Sequence, residues 1–303
     1  MTYDTARAFH HRVLGNYLRP IGGDQFNVTF FGVRGSTPCD GPDIERHGGN
    51  TSCVAVDVPG HNSIMLDLGT GSRRYGLAQP DGEPYDGVCL LSHLHWDHVQ
   101  GLPFFPPALR PGSHLAIHAP VQENGKPLKK AFRKLWRPPA FPVGIAELPA
   151  EFTFHEHGDD EFEIGDVQVM SRFVPHVGNT LGYRLEWRGR SVAYISDHQQ
   201  PPGPPFELPQ GVRDLCNGVD VLIHDAQYTP EEFSQKADWG HSTVEFAAWV
   251  AKECDAETLV LFHHDPAHSD DMLDRLRDRA AACLDGRMQV ISAAESLTLT
   301  IGR

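Results

Sequence analysis

Residues 92–98 read Ser92-His93-Leu94-His95-Trp96-Asp97-His98, directly after the apolar run Val88–Leu91. No other segment constrains the fold as strongly. In an extended chain alternate side chains face the same way. His93 and His95 therefore converge on one point, with Asp97 close behind. His98 reaches a neighbouring point once the backbone turns. Three imidazoles and a carboxylate in six residues are a metal-ligand set. A solvated histidine-rich turn would need no such alternation. A strand end must therefore meet further ligands at a loop.

The chain has the histidines for this: 18 in 303 residues, against 6 cysteines and 5 methionines. Histidine is the commonest metal ligand and a frequent acid or base. Lys and Arg number 26 and Asp and Glu 40, a formal charge of −14. That balance argues against a nucleic-acid-coating protein, which needs a basic surface to release counterions. No apolar run approaches the roughly 20 residues of a membrane span, and Met1–Arg19 has no signal-like apolar core. The scattered Cys39, Cys53, Cys89, Cys216, Cys254 and Cys283 form no C-x-x-C pair. They read as core residues or free thiols of a cytoplasmic protein.

Short runs rich in Val, Ile, Phe and Thr predict strands at Asn27–Val33, Thr51–Val58, Ser63–Leu68, Val88–Leu91, His114–His118, Val167–Val174, Leu181–Trp187, Ser191–Ser196, Val219–His224, Leu259–Phe262 and Leu297–Ile301. Apolar residues at helical spacing predict helices at Leu128–Trp136, Ser242–Cys254 and Ser269–Leu284. Ser242 with Glu245 reads as a capping box. One α/β domain over 1–303 is expected. Residues 1–25 form an accessory segment, with a helix at Asp4–Leu18. Residues 119–150 form a basic, proline-rich insertion. Its cations Lys126, Lys129, Lys130, Arg133, Lys134 and Arg137 read as a solvated helix face, or as an arm for an anionic substrate or a partner subunit.

From Phe26 onward the chain resembles the metallo-β-lactamase-fold hydrolases, in the branch of ribonuclease Z and the cyclic-phosphate and cyclic-nucleotide phosphodiesterases. The histidine motif carries the resemblance. So do Phe30–Pro38, Gly48–Cys53, Leu66–Gly71, His176 with Leu181–Arg184, Ser196-Asp197, Leu222–Ala226, Gly240–Thr243 and Leu259–His263, in the branch's order. The resemblance implies an αββα four-layer sandwich, two mixed sheets flanked by helices. It implies two divalent ions, zinc first, with manganese or iron also suited. His93, His95 and His176 would hold one ion. Asp97, His98 and His263 would hold the other, and Asp197 would bridge them. A metal-bridging hydroxide would be the nucleophile. Asp97 would also orient or deprotonate that water, and His241 would act as general acid.

His224 and Asp225 are expected to orient ligands, His198 to touch substrate or be exposed, and His264 to compete with His263 as last ligand or contact substrate. Asp67 and the glycines of 48–49 and 69–71 read as structural. Only 20 residues separate His176 from Asp197, too few for the tRNA-gripping arm that ribonuclease Z carries there. The expectation is a phosphodiesterase for a small anionic substrate, not a nucleic-acid polymer, and homodimers are common in the branch. The alternatives are a carboxylic ester, lactone or thioester hydrolase, a tRNA 3′-processing endonuclease, and a non-catalytic metal-binding module.

Overall fold

The structure is a computed structural model and describes residues 25–302. The helix expected at Asp4–Leu18 lies outside them. In chain order the strands are β1 (Phe26–Gly32), β2 (Cys53–Asp57), β3 (Ile64–Leu66), β4 (Asp86–Leu90), β5 (His114–Pro120), β6 (Glu151–His157), β7 (Asp160–Ile164), β8 (Val167–Phe173), β9 (Leu181–Trp187), β10 (Arg190–Ile195), β11 (Val221–Asp225), β12 (Thr258–Phe262), β13 (Gln289–Ser292) and β14 (Thr298–Ile301).

They form two seven-stranded sheets, ordered β14-β1-β2-β3-β4-β5-β6 and β13-β12-β11-β10-β9-β8-β7. In the first, β14, β1, β2 and β3 pair antiparallel and β3 to β6 run parallel. In the second, β7 to β10 are antiparallel and β10 to β13 parallel. Alternation along each strand explains the layering. On β10, Val192 and Tyr194 face the core between the sheets, with Phe30, Val54 and Leu90. Ala193 and Ile195 face the other way, toward the helices Gln210–Cys216, Val244–Glu253 and Asp270–Cys283. Helices Gly71–Ala78 and Leu128–Leu135 cover the first sheet through Tyr75, Leu128 and Phe132. The expected four-layer sandwich is the observed architecture. Among the described residues no helix is long and apolar enough to cross a membrane, and all six cysteines are free.

Three strands lie outside the expected set: β6, β7 and β13. The edge strands β6 and β7 carry charged, partly exposed side chains that mask their alternation. Four helices were also not expected, among them the short Trp96–Val99. Gly71–Ala78 holds two glycines, and Gln210–Cys216 and Pro230–Lys236 have seven residues each. The cap of Val244–Glu253 needs correction. Its N-cap is Thr243, whose hydroxyl accepts from Phe246 N at 3.2 Å. Ser242 Oγ donates instead to the His198 carbonyl at 2.5 Å, and Glu245 ion-pairs with Arg279.

Candidate metal centre

The parallel strands β4, β10, β11 and β12 all run toward one rim, and the motif residues stand where they end. His93 and His95 follow β4 in extended backbone. The chain turns into the short helix Trp96–Val99, which carries Asp97 and His98. Asp197 follows β10, Asp225 closes β11, His263 follows β12, and His241 precedes helix Val244–Glu253. His176 comes from the loop after β8.

All seven expected ligands meet there. His95 Nδ1 lies 3.1 Å from His176 Nε2. His98 Nε2 lies 3.2 Å from His263 Nε2. Asp97 Oδ2 is 3.1 Å from His263 Nε2 and 3.3 Å from His98 Nε2. Asp197 stands between the two groups: Oδ2 is 3.2 Å from His98 Nε2, and Oδ1 is 3.7 Å from His176 Nε2 and 3.9 Å from His93 Nε2. Ligand-competent atoms cluster as His93/His95/His176, His93/His98/Asp197, Asp97/His98/His263 and Asp197/His241/His263.

The hydrogen bonds behind these atoms show that a cation fits. His98 Nδ1 donates to Asp67 Oδ2 at 2.7 Å, His176 Nδ1 to the Gly240 carbonyl at 2.8 Å, and His263 Nδ1 to Gln227 Oε1 at 3.0 Å. Each bond fixes the tautomer and leaves the Nε2 lone pair facing the centre. His93 Nε2 and Asp197 Oδ2 are buried and have no hydrogen-bond partner. Facing lone pairs and orphaned buried acceptors are costly unless a cation sits among them.

Charge follows the same logic. Burial pushes His93, His95 and His176 below the usual histidine value. Burial opposes the charged forms of Asp97 and Asp197 too. The imidazoles of His98 and His263 outweigh it and hold both carboxyls below the usual range. The reverse holds for His98 and His263: burial lowers them, but Asp97 and Asp197 outweigh it and raise both.

Three residues around the centre adopt left-handed backbone, Ser36 at φ 62°, Asp67 at φ 63° and His263 at φ 57°. Two glycines make room for ligands. A Cβ at Gly35 would fall into the His263 ring, and one at Gly240, at φ 97°, into the His176 ring.

Several expectations need correction. Asp67 does fix the loop that carries the motif, and it also accepts from the candidate ligand His98. Besides His98 it accepts from Tyr194 Oη at 2.7 Å and from Ser92 N at 2.7 Å. His198 is neither exposed nor free to touch substrate. It is buried, with Nδ1 2.9 Å from His224 Nε2. His224 in turn donates Nδ1 to the Asp225 carbonyl at 2.7 Å. This pair lies behind the centre and joins none of the ligand clusters. His264 points away from it, to the Ala293 carbonyl at 3.1 Å, so His263 is the member that joins the ligands.

Asp225 orients His241, with Oδ2 2.9 Å from its Nδ1. Sequence reasoning missed Gln227, and it missed Ser36, whose amide donates to Asp97 Oδ2 at 2.7 Å. No local pattern marks either, because their partners lie 36 and 61 residues away.

Two mixed sheets with a His/Asp centre at one rim define a metal-binding hydrolase of the metallo-β-lactamase fold. The sequence profile of the beta-lactamase superfamily domain matches residues 62–264, and the chain belongs to that superfamily. It is 25% identical over 299 residues to the ribonuclease Z of Haloarcula marismortui, covering 83% of this chain and 91% of that one. The metallo-β-lactamase fold protein YhfI of Bacillus subtilis superposes with a TM-score of 0.68 at 18% identity, over 92% of this chain and 100% of that one. A diphosphatase of the PhnP family does so at 0.65 and 17%, over 91% of this chain and 98% of that one.

Proposed function

We propose that this chain is a dinuclear metal-dependent phosphodiesterase acting on a small or cyclic phosphodiester. The observation that carries the reading is His241. Its ring lies 4.9 Å from that of His263, its Nδ1 is 3.8 Å from Asp197 Oδ1, and Asp225 holds the same Nδ1.

His93, His95 and His176 would hold one divalent ion and Asp97, His98 and His263 the other, with Asp197 shared. Zinc suits this donor set, as do manganese and iron. Bound there, the ions would lower the pKa of a water from 15.7 toward about 7 and offset charge on phosphoryl oxygens. Asp97, held by the Ser36 amide, would accept a proton from the attacking water. His241 donates from Nε2 to the departing oxygen. Asp225 Oδ2 accepts from His241 Nδ1 and so fixes the orientation of the ring. Proton transfer of this kind contributes roughly 10²–10⁴ in rate.

The fold supports the reading of a small substrate. The stretch between His176 and Asp197 is taken up by β9 and β10 and leaves no room for a long arm. The names ribonuclease Z and diphosphatase among similar proteins support phosphoester chemistry.

The test is a substrate panel on protein with counted metals: bis-p-nitrophenyl phosphate, cyclic nucleotides, lactones and thioesters. The highest kcat/KM is expected on a phosphodiester. A lactone or thioester as best substrate would overturn the reading.

A further inference from the structure

The six cations of the 126–137 segment play no part in the site as described so far. Helix Leu128–Leu135 presents two opposite faces. Leu128, Phe132 and the following Trp136 are buried, and Phe132 packs on Phe154 at 5.1 Å between ring centroids. Lys126, Lys129, Lys130, Arg133, Lys134 and Arg137 are all exposed. Among the described residues none of the six pairs with a carboxylate, whereas seven of the other arginines do. Only Glu123 and Glu147 offset them within residues 119–150. A positive patch thus stands on a chain whose formal charge is −14.

The patch is tied to the metal motif. Trp136 closes the helix, and its ring lies 6.5 Å from that of Trp96. Trp96 sits between His95 and Asp97 and is 52% exposed. An exposed aromatic ring therefore lies in the ligand loop itself, joined through the buried Trp136 to the helix whose outer face carries the cations.

We propose that this surface binds the flanking part of a short single-stranded oligonucleotide, with a base stacked on Trp96 and phosphates on the 126–137 cations. The inference rests on the phosphodiesterase reading and narrows its substrate to a linear chain of a few nucleotides. An aromatic face beside a row of cations is the arrangement that binds single strands without reading sequence. Cations concentrated in one patch hold a short strand, while the acidic remainder of the surface repels a long duplex.

The experiment measures the anisotropy of a fluorescein-labelled pentathymidylate across a salt series, together with turnover of bis-p-nitrophenyl phosphate. The proteins are wild type, the quadruple variant Lys129→Ala, Lys130→Ala, Arg133→Ala, Lys134→Ala, and its charge-keeping counterpart Lys129→Arg, Lys130→Arg, Lys134→Arg. The alanine variant is expected to weaken binding at least tenfold and to flatten its salt dependence. The arginine variant is expected to bind like wild type. Turnover of the small substrate should change less than twofold in both. Equal binding by wild type and the alanine variant, or binding indifferent to salt, overturns the inference. With bis-p-nitrophenyl phosphate still hydrolysed, that result would leave the phosphodiesterase reading standing. Charge-dependent binding without turnover of any phosphodiester would instead overturn the phosphodiesterase reading.

Discussion

Gly240 shows how little space the centre leaves at the scale of single residues. Its φ of 97° is disfavoured for any side chain, and the Cβ of alanine would displace the His176 ring. Gly60 has a similar φ of 83° but open space around it. The strain alone costs about 1–2 kcal/mol. Gly60→Ala is therefore expected to lower stability by about that much with metal content unchanged. Gly240→Ala should lower stability and also lose metal, read by elemental analysis after reconstitution. Equal metal content in the two variants would contradict the role given to Gly240. His263 shows the same tension from the other side, because a candidate ligand sits in a conformation that glycine prefers. Strain of this kind persists where surrounding contacts over-determine it. Here those contacts are Gln227 on Nδ1 and the close approach of Gly35 to the ring.

Helix Val244–Glu253 is the element that places His241. Thr243 caps it and also grips Gln200 Oε1 through both amide and hydroxyl, at 2.9 and 2.8 Å. Loss of an N-cap costs about 1 kcal/mol, and Gln200 would lose a partner as well. Thr243→Ala is expected to lower Tm by several degrees and to reduce kcat more than KM, because His241 is then less firmly placed. A kcat equal to wild type would show that the cap does not position His241.

Elements also set how much could be read in advance. The histidine motif was legible because a strand period and a turn fix its geometry locally. His176, Asp197 and His263 were legible through the resemblance to the hydrolase family, and the apolar run before each agrees with it without singling it out. The role of Asp67 was not, since His98 is 31 residues away and Tyr194 is 127. The burial of His198 depends on β11 pairing beside β10, which no local pattern states. Edge strands β6 and β7 were missed because solvent on one side leaves polar residues where a core strand would be apolar.

At the scale of the whole molecule, pH enters through a second group of histidines. His118 on β5 stacks on His155 at 4.5 Å and lies beside His157, with Phe162 against its ring. Burial first, and those two imidazoles second, depress it to about 3. A histidine in the unfolded chain takes its proton near 6.5. The unfolded state therefore binds more protons between these values, and stability falls as pH drops through that window. The effect is on the order of 1–2 kcal/mol at pH 5. His118→Phe, compared by urea midpoint at pH 8 and pH 5, should lose less stability on acidification than wild type. An equal loss would assign the acid sensitivity elsewhere.

In the proposed reaction one centre would hold metal through seven ligands and move a proton through His241 to a phosphodiester's leaving oxygen. The most direct measurement compares wild type with His241→Ala, both with counted metals, on bis-p-nitrophenyl phosphate and on a lactone. The expected result is two ions per chain in both proteins and a kcat on the phosphodiester at least 100-fold lower in the variant, in line with the roughly 10²–10⁴ of general acid catalysis. A variant that lost an ion would make His241 a ligand. A variant with undiminished phosphodiester turnover, or a wild type that prefers the lactone, would contradict the account.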